Sequence, residues 1–222
     1  MKHSMILALI LLPLFVLPSP SHAVPITFSY DGVVNFSVGY PESAPFDAFL
    51  GETIRMVYTF ESTTPDSNAS TNGDYPGAVT SVQLFLSSNI YTATIGNIIL
   101  ENNGINPDQY IVDIVGIPGG LIGPTVGGMP LVRLELILSD NTHSALANDA
   151  LPTIQPDPSD YSNAVLQLQF RNPDDPYSFE KGIVIASGTV DHSPVPEPST
   201  VLLLGSGLVG LLYQRRRRHQ TS

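Results

Sequence analysis

Between Val24 and about residue 191, short apolar runs are separated by clusters of Pro, Gly, Asn and Asp. Inside the runs apolar and polar residues alternate with period two, the pattern of strands with one buried face. Strands are predicted near 26–38, 53–61, 79–87, 90–100, 109–115, 131–139, 164–171 and 182–190. The clearest alternation puts Ile54, Met56, Tyr58 and Phe60 on one face. A second sets Leu166, Leu168 and Phe170 opposite Gln167, Gln169 and Arg171. Such strands bury one side and wet the other, the habit of antiparallel sheets. Without a helical periodicity among them, they predict an all-β ectodomain: a single antiparallel β-sandwich, jelly-roll-like in arrangement. Asn102-Asn103-Gly104 and Asn72-Gly73 carry turn chemistry. No repeat of about 20 to 50 residues interrupts this reading, so one domain suffices.

The two ends break the pattern. Lys2 and His3 precede an apolar segment, residues 5–17, followed by Pro18, Pro20 and a Ser21-His22-Ala23 step. A basic start, a short apolar stretch and a small-x-Ala site in that order predict a signal peptide over 1–23, cleaved between Ala23 and Val24 by signal peptidase. At the other end, 193–200 is a Pro-rich linker containing Val195, Pro196, Glu197 and Pro198. An apolar segment follows over 201–213, and a basic tail over 214–222 holds Arg215, Arg216, Arg217 and Arg218. As a helix, residues 201–213 reach about 20 Å against a hydrocarbon thickness of about 30 Å. This short C-terminal membrane helix suits a temporary hold, with the arginines as a cytoplasmic stop signal. The ectodomain between the ends is 24–192.

Pro196-Glu197-Pro198, the apolar segment and Arg215 to Arg218, in that order at the C-terminus, resemble the PEP-CTERM sorting signal of Gram-negative bacteria. The resemblance implies recognition by a membrane-embedded exosortase and cleavage near the Pro-Glu-Pro motif. It further implies transient anchoring in the inner membrane, then the cell surface or an exopolysaccharide-containing extracellular matrix. Prolines at 194, 196 and 198 favour an extended backbone, the form a protease cleft takes. The resemblance concerns sorting and is silent on the ectodomain, because targeting signals are carried by unrelated folds.

Charge and composition narrow the ectodomain's partners. The 222-residue chain has a formal net charge of −11 and no cysteine. Disulfide scaffolds, thiol nucleophiles and cysteine zinc sites are thereby excluded. From 24 to 195 the only bases are Arg55, Arg133, Arg171 and Lys181 against 19 acids. That body disfavours nucleic acid as a partner.

Candidate chemistry inside the ectodomain is sparse. Gly205-Ser-Gly207-Leu-Val-Gly210 spells a dinucleotide fingerprint, but it lies in the apolar C-terminal segment without a preceding strand and reads as small residues of a membrane helix. His143 and His192 are the ectodomain's histidines, both expected in solvated loops, and no nucleophile elbow accompanies them. Asp157, Asp160, Asp174 and Asp175 in Pro-rich loops, with Asp108 and Asp113 flanking a strand, offer hard oxygen ligands suited to Ca²⁺. No EF-hand loop organises them, so no cofactor is expected beyond that ion. The expected function is a non-enzymatic surface or matrix protein with a structural or binding role. The alternatives are a carbohydrate-binding, lectin-like module and a secreted hydrolase whose carboxylates converge only in space.

Overall fold

The computed structural model describes residues 24–40, 44–68, 72–102, 104–115, 121–172, 181–187 and 190–192. The segments predicted as signal peptide, sorting linker, membrane helix and basic tail lie outside these residues. So do Asp174 and Asp175.

Among the described residues eleven strands pair antiparallel: β1 (Pro25–Val33), β2 (Phe36–Tyr40), β3 (Thr53–Glu61), β4 (Gly73–Leu86), β5 (Asn89–Ala93), β6 (Gly96–Glu101), β7 (Asp108–Val115), β8 (Leu131–Asp140), β9 (Asn163–Arg171), β10 (Lys181–Ser187) and β11 (Asp191–His192). One helical turn, α1 (Ala44–Asp47), and one 3₁₀ turn, Pro158–Asp160, accompany them. Among the described residues the strands form one continuous sheet in the order β11-β1-β3-β4-β6-β7-β8-β9-β10-β2, with β5 on the flank of β4. The all-β, antiparallel expectation holds. The two separately bonded sheets of a sandwich are replaced by a single curled, open sheet, and its order is mostly a meander rather than a jelly roll.

Alternation makes the curl favourable. Ile54, Met56, Tyr58 and Phe60 of β3 are buried on one side, and Leu166, Leu168 and Phe170 of β9 are buried on theirs, as their period-two spacing predicts. A flat sheet would leave that apolar face wet, so the sheet rolls its own halves together. The Tyr58 and Tyr110 hydroxyls meet at 2.6 Å although β4 and β6 separate their strands in the sheet. Tyr91 of β5 likewise packs on Phe170 of β9, centroids 6.1 Å apart. Phe46 of α1 fills one end of this core, 5.4 Å from the Phe170 ring and beneath Gly182 of β10, where a Cβ would collide with it.

The run predicted at 26–38 is two strands. Phe28, Tyr30 and Val34 point inward, yet Phe36 and Val38, of the same parity, are 50% and 40% exposed. The chain changes face at Val34–Asn35 because it crosses between the ends of the pairing order there: Val34 N–H donates to Glu52 C=O at 2.9 Å, and Asn35 N–H to Ile185 C=O at 3.0 Å. The 90–100 run also divides, into β5 and β6, each pairing with a different stretch of the long β4. Gly104 of the first predicted turn has φ +68°, the left-handed conformation that turn chemistry calls for. The second predicted turn is corrected, since Gly73 opens β4 opposite Leu100, where the Asp149 backbone leaves no room for a side chain.

Candidate functional site

The β7–β8 register sets Asp108 directly opposite Asp140, and both are buried, at 0% and 2% exposure. A buried carboxylate needs donors, and the sequence after β8 supplies them to Asp140. Its Oδ1 accepts from Thr142 N–H at 3.0 Å and Ser162 Oγ at 3.0 Å, and its Oδ2 from Ser144 N–H at 2.9 Å and Ala145 N–H at 3.2 Å. The amides of Ser144 and Thr142, then the Thr142 hydroxyl, hold its carboxyl well below the usual range. So saturated, Asp140 organises the 141–145 turn and has no lone pair to spare for proton transfer.

Asp108 is partnered on one side only. Its Oδ2 accepts from Leu146 N–H at 3.2 Å. Its Oδ1 has no hydrogen-bond partner and faces His143 Nδ1 at 3.7 Å. His143 therefore sits in the expected turn, at φ +57°, but over a buried carboxylate rather than in open loop. Asp108 is a candidate ligand in the sequence and Asp140 is not, and only strand register brings them together.

Beyond this corner the 145–161 segment borders a groove of about 370 Å³ whose lining includes Leu100, Leu146, Leu151, Asp157, Asp160 and Tyr161. The Tyr161 hydroxyl is pushed up to about 12, first by burial and then by the carboxylates of Asp160, Asp108 and Asp140. Asp157 accepts from Ser159 N–H at 2.9 Å and so caps the 3₁₀ turn.

Among the described residues the remaining calcium candidates do not converge. Asp113 is held by Arg133, at 2.9 Å to Nε and 3.1 Å to Nη2, and Arg133 also reaches Glu135 at 2.9 Å. Burial raises the Glu135 carboxyl, against the pull of Arg133. Among the described residues no group of three or more His, Asp or Glu is arranged to hold a metal ion.

The third region is the edge from which the chain leaves toward its C-terminal segment. Among the described residues β11 pairs with β1 at Asp31↔Asp191 and Tyr30↔His192. His192, expected in a loop, thus belongs to the sheet. One residue further along β1, Ser29 N–H donates to Gln155 Oε1 at 3.3 Å, while Gln155 Nε2 donates to Ser29 C=O. Tyr30 Oη donates to Pro156 C=O at 3.0 Å and holds the segment carrying that amide. Gln155 lies in a Pro-rich loop with no local pattern to mark it, and only the completed sheet reveals what it binds.

Val24, on the far side of the predicted cleavage point, is exposed at the start of β1. The other predicted sorting residues, Ala23, Val195, Pro196, Glu197, Pro198 and Arg215 to Arg218, lie outside the described residues, and no described helix is long and apolar enough to cross a membrane. No curated protein and no solved structure matches the chain. A sorting signal of the PEP-CTERM kind implies export, a stay at the membrane and processing by an exosortase, and residues 194–218 match the family described as the PEP-CTERM protein-sorting motif.

Proposed function

We propose that this chain is an exported exosortase substrate, carried to the membrane behind an N-terminal signal peptide and held there by residues 201–213. Release near Pro196-Glu197-Pro198 then delivers the ectodomain to the cell surface or extracellular matrix. The observation that carries this reading is the sorting-motif match over 194–218 immediately after the last strand. In this reading the curled sheet acts as a sandwich-like structural or binding body, and the work it does is not catalytic. The saturated Asp140 carboxylate supports a non-enzymatic role, since this buried acid of the described ectodomain is spent on loop architecture.

Intact mass and cell fractionation of the native protein, with and without exosortase activity, test this. Loss of residues 1–23 and of the arginine tail, the latter only with active exosortase, is the expected outcome. A membrane-held protein that keeps Arg215 to Arg218 under both conditions refutes it.

A second reading, glycan binding, is favoured by the groove, which sets the Tyr161 ring beside the Asp157 and Asp160 carboxylates and apolar Leu100, Leu146 and Leu151. Aromatic faces and hydroxyl-accepting carboxylates suit a polysaccharide. A glycan array in which Tyr161→Ala abolishes a specific signal supports it, and an array without signal removes it.

A further inference from the structure

We propose that Gln155 is a positioning residue that ends the sheet at His192 and so keeps the sorting segment free for its processing enzyme. The inference rests on the exosortase reading above for its consequence, but not for its geometry.

In an antiparallel ladder the residues whose N–H and C=O face a given neighbour recur every second position. Ser29 turns both backbone groups toward Gln155, on the side of β1 away from β3. Asp31, two residues on, therefore faces the same side, where it is registered with Asp191. Continuing that register, the partner of Ser29 would be residue 193. The Gln155 amide holds this place: its oxygen accepts from Ser29 N–H and its nitrogen donates to Ser29 C=O, the two bonds a paired residue would make. An open ladder position on an edge strand templates further pairing. Here the template is closed at residue 193, where the linker that carries Pro196, Glu197 and Pro198 begins.

The plug is itself anchored. Tyr30, wholly buried, donates its hydroxyl to Pro156 C=O, so the backbone beside Gln155 is tied to the strand that Gln155 covers. The arrangement spends a side-chain amide at a place that the strand register would otherwise give to a main-chain partner. Its effect is on the chain's path rather than on the core.

The test uses the full chain in cells with active exosortase, comparing wild type with Gln155→Ala. With the amide gone, Ser29 is free to pair with residue 193, which draws the linker onto β1. Processing is expected to slow roughly fivefold, the shift set by about one net hydrogen bond. Inserting Gly-Ser-Gly-Ser between Ser193 and Pro194 in Gln155→Ala is expected to restore the wild-type rate, because added slack returns the motif to solution. Hydrogen exchange gives a second readout: the Ser193 amide gains protection in Gln155→Ala and the Ser29 amide keeps it.

Processing at the wild-type rate with an unprotected Ser29 amide overturns the proposal. A slow variant that the insertion does not rescue also overturns it, marking a loss of stability instead. If the wild-type chain itself is never processed, the exosortase reading fails while the exchange data still decide whether Gln155 blocks residue 193.

Discussion

The Tyr58–Tyr110 hydroxyl pair offers the sharpest test of how the curled sheet holds its halves together. Both side chains are fully buried and their oxygens are 2.6 Å apart, so each is the other's partner away from bulk solvent. Burial raises both phenols far above their ordinary value, which keeps them neutral and able to share a proton. Replacing either by Phe leaves the remaining hydroxyl buried with its principal partner gone, at a cost of about 1 to 3 kcal/mol. Replacing both removes the orphan, so the double variant is expected to be no worse than the better single. For an ectodomain of this size, each kcal/mol lowers the melting temperature by roughly 2 to 4 °C. Urea unfolding of wild type, Tyr58→Phe, Tyr110→Phe and the double variant completes a cycle with a favourable coupling of about 1 kcal/mol or more. Strictly additive losses, or singles within about 0.5 kcal/mol of wild type, would refute the facing-halves arrangement. The nearby Tyr30 hydroxyl donates to Pro156 C=O, so toward Tyr58 it acts only as an acceptor and replaces the lost bond in part.

Three further outcomes follow from features on the same sheet. Gly182→Ala places a methyl group against the Phe46 ring and is expected to cost about 1 to 3 kcal/mol, with Phe46→Leu recovering part of it in denaturant unfolding. Asp140→Ala removes the acceptor of the 141–145 turn. Because the Asp140 carboxyl is depressed in the folded state, its contribution is present above the ordinary carboxylate range and lost on acidification. An acid titration of stability should therefore show a shallower low-pH decline in the variant than in wild type. Tyr91 and Tyr161 are both pushed up to about 12, in each case first by burial, so stability holds up to about pH 10 and falls as pH rises from there to about 12. A tyrosinate absorbance component that is lost in Tyr91→Phe or Tyr161→Phe and rises well below the unfolding transition would contradict this.

How much was legible depended on whether a residue's fate was local. β3 and β9 were readable because alternation along one strand fixes which face is buried, whatever lies beside it. β1 and β2 merged in the reading because Val33 and Val34 carry the apolar run straight across the crossing, and the inversion of face at Phe36 has no local mark. The start of β4 was missed because Gly73, Pro76 and Gly77 look like breakers, whereas the strand absorbs them at an irregular stretch of its pairing with β6. Asp108 and Asp140 were visible as acids, but their pairing is a matter of β7–β8 register. Gln155 was silent altogether, since its partner is a backbone far away in sequence. The C-terminal signal, by contrast, is read by machinery rather than by folding, and its order of motif, apolar segment and arginines was plain in the letters.

The thinness of β11 has a mechanical meaning. A load applied from the C-terminal side enters at β11, which among the described residues is two residues long and pairs with β1 at the margin of the sheet, against the 3₁₀ turn. Such a strand peels bond by bond instead of shearing all at once, so it yields first and lengthens the tether. The pull then arrives at β10, which β9 and β2 grip from both sides. While attached at a membrane, the protein thus carries a short compliant element ahead of a stiff one, and a tug is taken up by slack before it reaches the folded body.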